Sequence, residues 1–305
     1  MKPKILVIGS INMDLLMFTS RMPMLGESML SEKYQFGPGG KGANQAVATA
    51  MLGGDTTFVC KIGEDDFGRQ LRQSLISKNV GVDYVSISPG KQSGFGVIMM
   101  EAGGNNRIIT HLASNLDLNR ADIDRAFTQS YDGMIIQFEI AQDMVIYACE
   151  QARKRGIPFI VDAGPALDFP LEKIKGMEVL SPNETETATL CGITPTTKES
   201  CQEAAIILAR RSEAKHVVLK MGDKGAMHYN NGELAHYPPL KVEPVDVTAA
   251  GDVFTAALTV QYLVHGDMGK AIKYANAAGA LTVTKAGAQQ SIPSAQAVRD
   301  FYDQA

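Results

Sequence analysis

The residues best suited to chemistry lie in DVTAAGDVFTAALTVQYLVHG, 246–266. Three small residues, Ala249, Ala250 and Gly251, precede Asp252, and the apolar run behind them ends at Gly266, where a helix C′ residue would stand. Small residues let a ligand approach the backbone closely, and Gly251 tolerates conformations that others avoid. A helix start leaves N–H groups unpaired and carries about half a positive charge, so it attracts anions. A carboxylate such as Asp252 just inside that start can be a plain partner of the helix dipole. Beside a bare small-residue start it also sets an acid–base group next to an anion hole. Transfer of a phosphoryl group to a hydroxyl needs both.

Other polar residues fall at strand ends and glycine-rich turns. KILVIG (4–9) reads as a buried parallel strand, and Asn12 and Asp14 follow it at once. They stand where open α/β sheets place ligand contacts, although Asn and Asp also form turns. GPGGKGANQAVATAMLGG (37–54) is glycine-rich, then helix-forming from Ala43 until Gly53 and Gly54. It is not a Walker A loop, because Lys41 is followed by Gly42 and Ala43 rather than a metal-binding Ser or Thr. Four glycines around a lysine, with Asn44 one turn on, suit the approach of a polyhydroxylated ligand; a glycine turn that merely starts a helix is the alternative. Glu139 directly follows the strand-like IIQF. In NETE (183–186), Asn183 and Glu186 have the spacing of a capping box, a use that can coexist with a functional one. Gly222 and Gly225 mark a turn between two strands, and AIKYANAAGALTVTKAGAQQSIPS (271–294) reads as a small-residue helix entering a glycine-containing loop.

These positions require a scaffold that gathers strand ends. TTFVCKIG, GMIIQF (133–138), PFIVDAG (158–164), MEVLSP and KHVVLKMG alternate with helical stretches near 66–78 and 143–155 and a short one after Pro170. That rhythm predicts a three-layer α/β/α fold with a mostly parallel central sheet. Residues 15–36, split by a turn near Pro23 and Gly26, and 94–112, with GGNN (103–106) as its turn, read as two further strand pairs too polar for that sheet. They predict a small second sheet acting as a lid that excludes water. The 305 residues are 45% hydrophobic with a net charge of −4, which argues against nucleic acid as partner. The apolar run in MKPKILVIGSINMD is too short for a signal peptide or membrane span, so the reading is a soluble cytoplasmic protein. Four scattered cysteines and five unclustered histidines offer neither disulfides nor a His/Cys metal site.

GSINMD (9–14), GGKGANQAVA (39–48), NETE (183–186) and DVTAAGDVF (246–254) resemble the marks of the ribokinase, or PfkB-type carbohydrate kinase, family, in order from Lys4 to about Pro293. The resemblance implies a single ribokinase-like domain over 1–305 with lid segments at about 14–36 and 94–112, and ATP-dependent phosphorylation of D-ribose at its 5-hydroxyl. By motif position Asp252 is the expected base, with the amides around Ala249, Ala250 and Gly251 as anion hole. Asn12, Asp14, Gly40, Lys41, Asn44 and Glu139 are expected to hold the sugar. Asn183 is expected at the ATP phosphates and Glu186 near Mg2+, through water. Lys220, Gly222, Asp223, Gly225, Gly251 and Asn276 are expected to line the nucleotide pocket. Asp246, Thr248, Thr282, Lys285, Gly287 and Ser291 match a site for a monovalent cation, usually K+. A homodimer through the lid is also implied.

The sequence departs from that pattern at three places. Asp162 in DAGPA stands where many ribokinases have asparagine, ASN (113–115) replaces GAN, and Lys220 replaces a common threonine. Three rival readings remain. One is a related kinase for deoxyribose, another sugar or a nucleoside, since Met17, Phe18 and Met29 do not exclude a base in the lid. A second is a non-catalytic sugar- or nucleotide-binding regulator, which would not need Asp252. A nicotinamide dehydrogenase would want G-x-G-x-x-G after the first strand, and GSINMD is not that.

Overall fold

The structure is a computed structural model describing residues 2–101 and 106–304. Most of the expected GGNN turn at 103–106 lies outside the described residues. The first third of the chain runs through β1 (Lys4–Ile8), β2 (Asn12–Thr19), β3 (Lys33–Gly39), α1 (Lys41–Met51), β4 (Asp55–Gly63), α2 (Asp66–Ser77), β5 (Gly81–Ser88), β6 (Gly94–Glu101) and β7 (Asn106–His111). There follow α3 (Arg120–Ala126), β8 (Gly133–Ile136), α4 (Gln142–Lys154), β9 (Phe159–Asp162), β10 (Val179–Ser181), α5 (Glu184–Cys191) and α6 (Lys198–Ser212). The chain closes with β11 (His216–Lys220), β12 (Ala226–Asn230), β13 (Glu233–Tyr237), α7 (Ala250–His265), α8 (Met268–Thr282) and α9 (Ala295–Asp303).

Nine strands form one sheet in the order β13-β12-β11-β10-β9-β8-β1-β4-β5. Every pair from β11 to β5 is parallel, and only β12 and β13 add an antiparallel edge. Side chains of a strand alternate between faces, so each strand serves two cores. In β1, Ile5 and Val7 join the core beneath α1, α2, α7 and α8, whereas Leu6 and Ile8 join the core beneath α3, α4 and α6. That double burial explains why the central strands read as unbroken apolar runs.

The four remaining strands form a separate sheet, β3-β2-β6-β7, with β2 and β6 parallel and the outer pairs antiparallel. Asn12 and Asp14 therefore lie in a strand, not in a turn: the chain leaves β1 and enters the small sheet within four residues. The short helix expected after Pro170 is a single 3-10 turn, Leu171–Lys173. No described helix is long and apolar enough to cross a membrane.

The start of α1 presses against the end of β1. Gly40 precedes the helix at φ 87°, and the Ala43 amide donates to the Ser10 carbonyl at 2.8 Å. A Cβ added to Gly42 would lie 2.6 Å from Gly9 C and Ser10 N, both backbone atoms that cannot swing aside. Gly42→Ala is therefore expected to destabilise the fold by about 1–3 kcal/mol, the cost of overpacking a tight contact. A lower urea midpoint at unchanged m-value would report it; an unaltered midpoint would mean that α1 shifts freely on β1.

Candidate active site

The carboxyl ends of β1, β8, β9 and β11 meet the starts of α1 and α7. The start of α7 is unusual, because Ala249 before it takes the left-handed conformation (φ 63°) and no side chain caps the helix. The Ala250 amide donates to the Val247 carbonyl at 3.3 Å. The amides of Gly251 and Asp252 are among those that a helix start leaves without an intrahelical acceptor. Asp252 is 4% exposed and its two oxygens are separately held. Asn44 Nδ2 donates to Oδ2 at 2.9 Å, Gln45 Nε2 donates to Oδ1 at 3.1 Å, and Lys41 Nζ stands 3.6 Å from Oδ1.

A second carboxylate lies behind the first. Asp162, at the end of β9 and fully buried, accepts from Lys220 Nζ at 2.7 Å, Gln45 Nε2 at 2.7 Å and Thr255 Oγ1 at 3.3 Å. Burial opposes its ionisation, but the lysines Lys220 and Lys41 outweigh that and hold its carboxyl below the usual range. Burial likewise works against the Lys41 ammonium, yet Asp252, Asp162, Glu186 and Glu139 together hold it firmly charged. Glu139 accepts from the Ser10 hydroxyl at 2.5 Å and from the Lys41 amide at 3.1 Å, so it completes the start of α1; burial pushes its carboxyl up.

Asn12 and Asp14 form the floor contributed by the small sheet, and glycines flank them on both neighbouring strands. Asn12 pairs in register with Gly39 and Gly94, and Asp14 with Gly37 and Gly96. A Cβ on Gly94 would sit 2.1 Å from Asn12 Oδ1, and one on Gly39 would sit 1.8 Å from Asp14 Oδ2. The glycines thus make room for two polar side chains. Asn115 Nδ2 donates to Asn12 Oδ1 at 2.9 Å, and its Oδ1 accepts from the Ile11 amide at 2.8 Å. The Asn44 Oδ1 atom is buried without a partner among the described residues, which suits it to accept from a ligand hydroxyl.

On the other flank Asn183 and Glu186 form the reciprocal capping box of α5, at 2.8 Å each way. Only Oε2 of Glu186 is used there; Oε1 would lie 2.7 Å from a Cβ placed on Gly164, with Lys41 Nζ 2.6 Å from the same point. Burial pushes the Glu186 carboxyl up. Gly222 and Gly225, at φ 53° and 85°, bracket a 3-10 turn that holds Asp223, and Asn276 Nδ2 reaches the Tyr237 and Pro238 carbonyls at 3.1 Å each. Asn276 therefore braces the chain leaving β13 rather than standing free.

Of the residues matched to a monovalent cation, three converge directly. Asp246 accepts from the Thr248 amide at 2.9 Å, the Thr248 hydroxyl at 2.6 Å and the Gly287 amide at 2.8 Å. Thr282 and Ser291 are buried and direct their hydroxyls to Ala278 and Ala288, while exposed Lys285 meets Thr282 through its amide. Ser10, Gln45, Gln137, Thr255 and Asn115 also belong to this centre: Gln137 and Thr255 carry no sequence signal, while Ser10, Gln45 and Asn115 fall within GSINMD, GGKGANQ and ASN (113–115), where nothing local marks them as site residues. Gln45 sits inside GGKGANQ and was legible only as part of that motif.

A parallel sheet of this order, with helices on both faces and a separate four-stranded sheet, is the ribokinase-like α/β fold. The structure aligns with ribokinase from Arabidopsis thaliana complexed with ribose and ATP at a TM-score of 0.89, 31% identity and 99% of both chains. The sequence pattern of pfkB family carbohydrate kinases matches residues 2–295. Deoxyribokinase of Salmonella typhimurium is 32% identical over 300 residues, covering 97% of this chain and 98% of that one. The bifunctional ribokinase/ribose-5-phosphate isomerase A of Fructilactobacillus sanfranciscensis is 33% identical over 305 residues, 99% of this chain but 56% of that longer protein. The chain belongs to the pfkB family of carbohydrate kinases, and it is an ATP-dependent sugar kinase.

Asp14 carries a pH dependence. Burial first, then Glu139 and Asp252, push its carboxyl up from 3.8 to about 7. The native chain thus keeps a proton that the unfolded chain releases, so the contribution of this group to stability is full below 3.8 and is lost as pH rises towards about 7. Asp14→Asn, neutral throughout, is expected to gain in Tm relative to the parent at pH 8 compared with pH 4. An identical Tm difference at the two pH values would show that Asp14 is not held in this way.

Proposed function

We propose that this kinase phosphorylates D-ribose on its 5-hydroxyl with Asp252 as general base. The observation that carries the reading is Asp252 in the first turn of an uncapped helix, held by Asn44 and Gln45 with Lys41 beside it. In the step, Asp252 takes the proton of the sugar hydroxyl as that oxygen bonds to the γ-phosphorus and the bond to the leaving ADP oxygen breaks. The Gly251 and Asp252 amides face the charge of the transferring group. Asn12, Asp14 and Asn44, with Lys41 and Glu139, offer donors and acceptors to adjacent hydroxyls, which favours a free sugar over a nucleoside.

The residues present fit the groups such a reaction requires. Glu186 has one carboxylate oxygen outside its capping box, in a region where carboxylates outnumber ammonium groups, which suits Mg2+ held through water. Bound there, the metal would supply charge neutralisation at the nucleotide phosphates. Asp246 is buried, and its partners, the Thr248 amide and hydroxyl and the Gly287 amide, are all uncharged, so K+ among oxygens of that loop is a natural counter-ion. Asn183, Lys220, Gly222, Asp223, Gly225 and Asn276 border the region assigned to ATP. The small sheet exposes Leu30, Tyr34, Phe36, Ile108 and Ile109 on or beside its strands, which suits its pairing with a second copy as a lid. Use of ATP and of a free sugar accords with a cytoplasmic enzyme.

A second reading, phosphorylation of 2-deoxyribose, is favoured by the similarity to a deoxyribokinase. Coupled ADP release with Mg2+ on ribose, 2-deoxyribose, fructose and adenosine, with and without K+, separates the two. Ribose is expected to give the highest kcat/KM, with K+ raising it; a preference for 2-deoxyribose would overturn the substrate. Asp252→Asn is expected to lower kcat by about 10²–10⁴-fold, the usual worth of a general base, with little change in KM. Near-normal kcat with lost sugar affinity would remove Asp252 from that role.

A further inference from the structure

Two departures from the family's sequence pattern, Asp162 for asparagine and Lys220 for threonine, bond to one another at 2.7 Å. The pair joins the ends of β9 and β11, with the carboxylate fully buried and the lysine side chain 10% exposed. Asp162 is fully engaged, by Lys220, Gln45 and Thr255. The ammonium is not: it has three donors, and among the described residues Asp162 is its sole acceptor. Its position sets the ammonium against the start of α7, since a Cβ on Gly251 would stand 3.6 Å from Lys220 Nζ, the nearest atom apart from the glycine's chain neighbours and its own helix backbone. The ammonium therefore flanks the first turn of α7 beside the amides of the anion hole. Asp162 also connects to Asp252, because Gln45 Nε2 donates to both carboxylates.

We propose that Lys220, anchored by Asp162, is a phosphoryl-binding cation of this kinase that contacts the terminal phosphate of the nucleotide at the start of α7. The proposal rests on the kinase reading above and adds a charged donor beside the neutral amides of the helix. Asp162 is a positioning residue: it aims the ammonium and, through Gln45, keeps it in register with the base.

The test compares binding of ADP with that of AMP-PNP, each with Mg2+, and uses two variants. Lys220→Met removes the cation but leaves Asp162 buried without its partner, which endangers the fold. The double variant Asp162→Asn with Lys220→Met removes both charges together. If Lys220 holds the terminal phosphate, the double variant loses about 10–100-fold in affinity for AMP-PNP, as for a hydrogen bond to a charged group. It keeps the affinity for ADP and for the sugar, and its kcat falls by about 10²–10³-fold. Equal losses for the two nucleotides, or no loss for either, would overturn the proposal and leave the pair a packing element. The binding arm reads Lys220 whether or not ribose is the substrate. Failure of every sugar in the turnover screen would instead count against the proposed reaction alone.

Discussion

One amide group holds the centre of this molecule together. Gln45 Nε2 donates to Asp162 at 2.7 Å and to Asp252 at 3.1 Å, while Gln45 Oε1 accepts from Gln137 Nε2 at 2.5 Å. Two buried carboxylates so close repel each other strongly in a region of low dielectric. They coexist because Lys220 and Lys41 stand beside them and because Gln45 ties both to α1. The consequence is geometric as well as electrostatic: the end of β9, the start of α1 and the start of α7 cannot move independently. Asp252 is thereby preorganised, as the general base proposed above would have to be to react without reorganisation.

The fold explains why these elements meet. In a parallel sheet all carboxyl ends share one edge, and helices on the two faces begin near it. The arrangement collects Ser10, Glu139, Asp162 and Lys220 from four strand ends and Lys41 and Asp252 from two helix starts. The small sheet enters the same space because β2 follows β1 after a three-residue link, which brings Asn12 and Asp14 with it. Polar residues in the middle of a sheet demand space, and the glycines of β3 and β6 supply it.

The legible part of this architecture was the part written in periodicity. Apolar runs such as KILVI and HVVLK revealed the strands because each buries both faces, and Gly266 ended α7 at φ 68° as its position implied. The fold class followed from alternation alone. Asp252, Lys41 and Asn44 were legible because they sit in short, distinctive strings. Gln45, Gln137, Thr255 and Asn115 were not, since each acts through a side chain 90 or more residues away, and no local pattern encodes such pairing. Asp162 stood out only as a departure from the family pattern, and Lys220 as a departure within the expected nucleotide pocket; the bond between them is visible only in the structure. The turn reading of Asn12 and Asp14 failed for a related reason: Asn and Asp are poor strand residues in isolation, and glycine neighbours across the sheet override that preference.

The charge balance of the site argues that its ligands arrive as a charge-compensated set. The site gathers the carboxyl groups of Asp14, Glu139, Asp162, Glu186 and Asp252 and, among the described residues, two lysines, Lys41 and Lys220. Burial pushes Asp14, Glu139 and Glu186 up, and the neighbouring carboxylates add to that shift, while the lysines oppose it at Glu139 and Glu186. A bare polyanion would still be repelled by the carboxylates, and a bare divalent cation would be opposed by the lysines and the positive end of α7. On the proposed reading, a nucleotide carrying its metal would present phosphate to the helix start and lysines and the metal to the carboxylate of Glu186. On that reading the acidic surplus would favour a metal–nucleotide complex over either component, and a neutral sugar held by hydrogen bonds would leave that balance undisturbed.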